Sequence, residues 1–324
     1  MAHKIFTFWE PKGRLTPYLG LCMETWEVNL VGYDVVVLDY SNLHEYLPGD
    51  VFDLRLLRRM SPQLVKDAVM VGLLAEHGGV FMDADTIAIR DIEPILRRLR
   101  SREVVMFNTH VAFIAARPHS RLLSLWYRGV EAKLAALKNR PGSSLELSWD
   151  YLGNSELAEA KQEMIAQSRL LGLPQRVAAR CDRFAKDRAS GARGWTLWSR
   201  VLAAASRRVR ARSEWLGFAT VLGKHLTMLD RDRYGFIAEV GYSGDSSFDP
   251  RQRYLDFWFE ADVDVEEAFR NEQMLIGLHH SWTPEWYRAL DRDAVLAHEC
   301  LLSRTLRRVL SASQPGGDQD LCRQ

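Results

Sequence analysis

Several things are scarce in this sequence, and each shortage removes a class of protein. No run of about 18 consecutive apolar residues occurs, so a membrane-spanning helix is not expected. Met1-Ala2-His3-Lys4 passes straight into a short strand-like run, without the apolar segment of a secretory signal. Only four cysteines occur in 324 residues, Cys22, Cys181, Cys300 and Cys322, scattered without metal-ligand spacing. A reducing, cytoplasmic setting is the expectation. Excess charge of one sign is missing as well. The 43 Lys and Arg against 42 Asp and Glu leave a net charge of +1, so nothing favours nucleic acid as a partner. No internal repeat is evident. What remains is an ordinary globular composition, 47% hydrophobic and 26% charged, long enough for one large or two small domains.

One stretch carries chemistry: Gly78-Gly79-Val80-Phe81-Met82-Asp83-Ala84-Asp85-Thr86. Two carboxylates stand one residue apart, after one short apolar run and before another, Ile87-Ala88-Ile89. Residues i and i+2 of a strand share a face, so at a strand end both can converge on a hard divalent cation. Oxygen ligands of this kind suit Mg²⁺ or Mn²⁺, and one or two carboxylates plus substrate phosphates is the usual magnesium arrangement. The plainer reading is a surface turn with two solvated carboxylates. Context argues against it. Lys66 to His77 reads as a largely buried helix ended by the Gly-Gly pair, and Asp91 to Leu99 reads as a second, capped helix.

Earlier in the chain, Lys4 to Trp9 reads as a first strand closed by Glu10-Pro11-Lys12-Gly13. Thr16-Pro17 opens a helix with Leu19, Cys22, Met23 and Trp26 at helical spacing. Tyr33 to Asp39 is a nearly continuous apolar strand, as expected of one buried on both faces of a parallel sheet. Strand, helix, strand predicts an α/β layer architecture, with ligands beyond the carboxyl ends of strands, where Trp9 and Asp83 would lie. Further strands are expected at Glu103 to Phe107 and Val111 to Ala116, a helix over His119 to Leu137, and a helical pattern over Leu145 to Ala179. Trp195 to Phe218 reads as a basic amphipathic segment, able to lie at a membrane surface or simply to pack on the main domain. The tail from Pro315 is polar and Gly-rich.

Helix, Gly-Gly-Val, D-x-D, strand and helix together resemble the donor site of capsular-polysaccharide-synthesis and family 32 sugar transferases. The resemblance is densest over residues 4–116 and returns at 275–287, where Leu278-His279-His280-Ser281-Trp282-Thr283-Pro284-Glu285-Trp286-Tyr287 gathers histidines, a serine and tryptophans. It implies a Rossmann-like GT-A fold with helical insertions. One transferase domain would span 1–310, with its donor core over 1–120, an acceptor-side region over 120–270, a site-closing segment over 275–290 and a flexible tail over 311–324. The implied activity is that of a metal-dependent, hexosyltransferase-like enzyme with Mn²⁺ or Mg²⁺. It would move a sugar from a nucleotide-sugar donor, UDP-linked, to a polysaccharide or other glycan acceptor with retention, in capsule or surface polysaccharide biosynthesis.

Carried over residue by residue, Asp83 and Asp85 are the catalytic pair and hold the metal, completed by His279 or His280. Trp9, Asp67, Asp83, Ser281 and Trp282 contact the nucleotide sugar. Adjacent histidines point to different sides of an extended chain, so one of the two is expected to face the site. The family's S-D-x-x-R segment reads here Lys66-Asp67-Ala68-Val69-Met70, so its serine and arginine are replaced. The implied location is cytoplasmic, with peripheral contact at the inner face of the cell membrane through 195–218.

Two rivals remain. Asp83-Ala84-Asp85-Thr86 also satisfies the D-x-D-x-T motif of haloacid-dehalogenase phosphatases, with Asp245 and Asp249 as further metal acids and Lys224 as the lysine. Against it, a strand-helix-strand pattern precedes the motif, and nothing in it uses His279 to Trp286. A transferase-like binding protein without catalysis is the other, supported by Met70.

Overall fold

The computed structural model describes residues 4–107, 110–142, 144–167, 222–229, 249–268 and 273–311. The amphipathic segment 195–218, Asp245, Cys181, Cys322 and the tail from residue 312 lie outside them, as does the helical pattern beyond residue 167.

Eight strands are described: β1 (Lys4–Phe8), β2 (Asp34–Leu38), β3 (Gly79–Met82), β4 (Thr86–Ala88), β5 (Val104–Phe107), β6 (His110–Ala116), β7 (Leu226–Leu229) and β8 (Leu275–Gly277). Six form one sheet in the order β2-β1-β3-β6-β5-β7, while β4 and β8 pair separately. All neighbours in the large sheet are parallel except where β6 meets β3 and β5. The main helices are α1 (Pro17–Asn29), α2 (Pro62–Glu76), α3 (Arg121–Lys138), α4 (Asn154–Ala166) and α5 (Leu301–Ser311). This is the mixed α/β, Rossmann-like architecture expected from the sequence.

The apolar runs are explained by a sheet covered on both faces. Along β3, Phe81 joins one core cluster while Val80 and Met82 join the other; Val104 and Met106 of β5 alternate with Val105 and Phe107 in the same way. Helices α2, α3 and α4 bury their apolar sides on the first face, and Trp26 and Leu30 of the α1 end cover the second with Ile92, Ile95 and Leu99. A third cluster joins α1 to α5 through Tyr18, Cys22, Tyr254, Trp258, Tyr287 and Leu306.

Three expectations need correction. The apolar strand β2 is an edge strand, and Val35, Val36 and Val37 are half-buried, because only β1 pairs with it. The segment after Asp91 is one short helix, Glu93–Leu96, followed by a 3-10 turn. Asp91 Oδ1 accepts the Glu93 N–H at 3.0 Å, so the acid at the start works locally rather than opening a long helix. Residues 145–153 are loop, and the helix begins only at Asn154.

Chain direction sets the site. From β1 the chain crosses to β2 on one side and later to β3 on the other, so the connections leave β1 and β3 in opposite senses. The crevice beyond the carboxyl ends at such a reversal is where open α/β sheets bind ligands. The Gly-Gly entry to β3 is obligatory. Gly78 and Gly79 have φ of +63° and +96°, and a Cβ on Gly79 would lie 2.6 Å from the Lys4 carbonyl oxygen. Gly79→Ala is therefore expected to lower stability by about 2–4 kcal/mol, through left-handed strain plus a backbone clash. Urea unfolding checks this, and an unchanged midpoint would show that β3 can shift off β1 freely.

Candidate functional site

The D-x-D residues occupy the tight turn between β3 and β4. The Asp83 N–H continues the sheet ladder by donating to the Ala112 carbonyl at 2.9 Å, and the Thr86 N–H closes the turn on the Asp83 carbonyl at 3.1 Å. Helix α1 then fixes β4 from three side chains. The Trp26 indole N–H donates to the Thr86 carbonyl at 2.6 Å, Asn29 donates to the Ala88 carbonyl at 2.9 Å, and Thr25 Oγ1 accepts the Ala88 N–H at 2.8 Å.

Because β4 pairs antiparallel with β8, Thr86 opposite Gly277, the chain after β8 emerges beside Asp85. The Leu278 N–H donates to the Asp85 carbonyl at 2.9 Å, and the His280 N–H donates to Asp85 Oδ2 at 2.8 Å. The C-terminal aromatic segment is thus built onto the D-x-D turn by two backbone N–H groups, Leu278 on the Asp85 carbonyl and His280 on the Asp85 carboxylate.

The two histidines separate as expected of adjacent residues. The His280 ring lies 4.9 Å from the Trp9 ring, edge-on, and is stacked on buried Tyr18. The Tyr18 hydroxyl is hydrogen-bonded to His280 Nδ1 at 2.5 Å. Burial, with Arg288 nearby, pushes the His280 pKa down to about 4, so the ring is neutral at pH 7. His279 turns away, its ring 4.0 Å from Trp282 and 5.8 Å from Tyr254. Ser281 is exposed and Trp282 half-buried.

On the other side of the turn, α2 supplies a cation. Lys66 Nζ lies 3.0 Å from Asp83 Oδ1, 3.1 Å from Asp83 Oδ2 and 3.4 Å from Asp67 Oδ1. Burial disfavours its charge, but Asp83, Asp67 and Asp85 outweigh burial and raise its pKa above the ordinary lysine value. Asp67 is only 2% exposed, and a Cβ on Gly153, the residue before α4, would sit 2.2 Å from its Oδ2. Burial raises the Asp67 pKa to about 6 against the pull of Lys66. Asp85 keeps some solvent contact, yet the protein packed around it and the neighbouring Asp83 charge raise its pKa to about 7.

The structure thus brings Trp9, Asp83, Asp85 and His280 to one carboxyl edge, with Asp67 behind Lys66 and His279 beside Trp282. Met70, where the resemblance expects arginine, is fully buried in the core. Among the described residues, no group of three or more His, Cys, Asp or Glu side chains is arranged to hold a metal by itself. Two carboxylates still fit a magnesium-type ion that arrives with phosphate ligands and keeps several waters. Asp83 Oδ1 is shielded from solvent and meets the Lys66 ammonium at 3.0 Å without an aligned hydrogen bond, so an ion taking that oxygen does so in competition with Lys66.

Sequence reasoning missed Tyr18, which it did not single out in the first helix, and the Lys66 contact with Asp83, although the lysine stood out as a departure from the motif. Lys224, the lysine of the phosphatase reading, precedes β7 at the amino edge of the sheet, whereas Asp83 follows β3 at the carboxyl edge. With β3 and β7 pointing the same way and three strand spacings apart, about 14 Å, the two cannot meet. Asp249 accepts the Arg251 N–H at 2.9 Å as a helix cap.

Residues 2–131 match the family model described as "Capsular polysaccharide synthesis protein". The expected resemblance to such proteins is borne out over that segment, which contains β1 to β6 and the D-x-D turn. Among solved structures, the chain is similar to one titled "PaToxG Glycosyltransferase" at 14% identity and a TM-score of 0.34, over 65% of this chain and 87% of that one, a likeness too distant to carry an argument. No protein of curated function matches the chain. Among the described residues no helix is long and apolar enough to cross a membrane.

Proposed function

Taking the similarity of residues 2–131 to capsular polysaccharide synthesis proteins as the premise, we propose that the chain is a metal-dependent glycosyltransferase. It moves a sugar from a UDP-linked donor to a polysaccharide or other glycan acceptor, with retention, in surface polysaccharide assembly. The observation that carries this reading is the hydrogen bond from the His280 N–H to Asp85 Oδ2, which joins the D-x-D turn and the aromatic segment into one site at the strand-order reversal.

In this reading Asp83 and Asp85 hold Mn²⁺ or Mg²⁺, which when bound offsets the negative charge that develops on the leaving diphosphate. The chain's own residues do the rest. The His280 N–H fixes one oxygen of Asp85 and so sets the direction in which the carboxylate faces. Neutral His280 is held against Tyr18 and in turn supports Trp9, the platform proposed for the uracil ring. Ser281 and Trp282, on the turn that follows, meet the diphosphate. Asp67 is too buried to touch the sugar as the resemblance implied, and instead orients Lys66. Peripheral membrane contact through 195–218 at the inner face of the cytoplasmic membrane belongs to the same proposal and rests on sequence alone.

Calorimetric titration of UDP into the purified protein, with Mn²⁺ and with EDTA, tests the reading. Micromolar binding that requires Mn²⁺ is expected. If neither UDP nor GDP binds under any metal condition, the transferase reading fails and a non-catalytic role takes its place.

A further inference from the structure

Lys66 is the cation already present at the D-x-D turn. Its Nζ faces both oxygens of Asp83, at 3.0 and 3.1 Å, and Asp67 Oδ1 at 3.4 Å, with the lysine side chain only 18% exposed. Asp67 cannot swing away, because Gly153 is packed against its carboxylate. Helix α2 itself is anchored by neighbours such as Val65, Ala68 and Val69, all fully buried. Lys66 thus sits on a rigid helix with one fixed carboxylate behind it and Asp83 in front. Asp83 is the half-buried member of the pair, 22% exposed against 3% for Asp67, so its carboxylate is the one that meets the crevice.

We propose that Lys66 is a tethered counter-cation of the nucleotide site. It neutralises Asp83 while the site is empty, competes with a divalent ion for that carboxylate, and turns its ammonium to the diphosphate when metal and nucleotide enter together. The nucleotide half of this inference rests on the function proposed above; the metal half does not. The consequence is coupled binding. A divalent ion alone must displace an ammonium held by two carboxylates, whereas a metal–diphosphate pair offers that ammonium a new anionic partner. Three carboxylates and one ammonium leave a net negative site, which repels a bare diphosphate and admits it only with its cation.

The test measures Mn²⁺ binding, from the free-ion paramagnetic resonance signal, in the absence of nucleotide. Lys66→Met is expected to bind Mn²⁺ about tenfold or more tightly than wild type, because one competing positive charge is gone. Lys66→Arg is expected to bind it more weakly than wild type, because a guanidinium grips a carboxylate with two parallel bonds. Circular dichroism checks folding; if Lys66→Met does not fold, the arginine variant still decides. A purely structural lysine predicts lower stability in Lys66→Met with unchanged Mn²⁺ affinity, and that result overturns the proposal. So does tighter Mn²⁺ binding by Lys66→Arg, or no Mn²⁺ binding by wild type and Lys66→Met alike at millimolar concentration. In a second arm, UDP is added. It should raise Mn²⁺ affinity about tenfold in wild type and far less in Lys66→Met. If the metal-only differences hold but UDP has no effect, the nucleotide reading fails while the competition between Lys66 and the divalent ion stands.

Discussion

Asp85→Asn is expected to weaken Mn²⁺-dependent UDP binding about 100-fold or more while making the ligand-free protein more stable at pH 8. The loss follows from removing one of two carboxylate charges that a hard cation would need. The gain follows from the pKa of Asp85. A carboxyl held at about 7 rather than 3.8 is one whose charged form the fold disfavours, chiefly by burial and then by Asp83. Below pH 4 both folded and unfolded chains carry the proton and the group is silent. As pH rises from about 4 through 7 the unfolded chain ionises first, so stability falls, and above 7 the whole penalty is present. Asparagine carries no such penalty and can still accept the His280 N–H.

Because Asp85 is partly exposed and Lys66 is near, about 1–2 kcal/mol is the expected gain at pH 8, well below the full shift. Asp67, at about 6, adds a term of the same sign in the window from about pH 4 to 6. His280 has the opposite sign. Its folded pKa of about 4 lies below the ordinary 6.5, so its contribution is lost as pH falls below 6.5. Between pH 8 and 7 the imidazole is nearly silent, and there wild type should gain stability on acidification while Asp85→Asn gains little. Denaturant unfolding at three pH values checks both slopes. Equal stability of the two proteins at pH 8, with equal slopes, would show that Asp85 is not held under strain of this kind.

Trp26→Ala should produce the largest loss of stability of any single change near the site, about 3–5 kcal/mol. The indole is fully buried between the second face of the sheet and β4, and its N–H holds the Thr86 carbonyl at the exit of the D-x-D turn. Removing it opens a large cavity and leaves a buried carbonyl without its donor. Trp26→Phe separates the two effects, since it keeps most of the packing and loses only the bond, for about 1–3 kcal/mol. In that variant the D-x-D turn should loosen before the sheet does. Faster hydrogen exchange confined to residues 83–88 is the expected sign. Uniform exchange across the sheet would mean that the indole supports the core and has no special hold on the turn.

Much of this site is legible from local chemistry. Gly78-Gly79 before an apolar run announces a strand entered through left-handed backbone, and φ of +63° and +96° agree. The alternation of Val80, Phe81 and Met82 between two core faces follows from a period of two, and the run of apolar residues reflects cover on both sides. Lys66 to Glu76 reads as buried helix and is one. The same local rules mislead at β2, whose valines look like a central strand and lie at the edge. Propensity reports what a residue tolerates, while strand order is decided by which crossovers pack.

What the sequence determined by itself is the inventory and its local geometry: a β-α-β start, a carboxylate pair at a strand end, and adjacent histidines of which one faces the pair. What only the tertiary structure decided is who meets whom. Asp85 receives its hydrogen bond from His280 because β8 pairs with β4 in one register, Lys66 reaches Asp83 because α2 packs beside the end of β3, and Asp67 is sealed by Gly153, the residue before α4. Each of these contacts joins residues brought together by packing rather than by local conformation. Their pairing is set by how whole elements bury apolar surface against one another, a sum over many side chains that no local pattern contains.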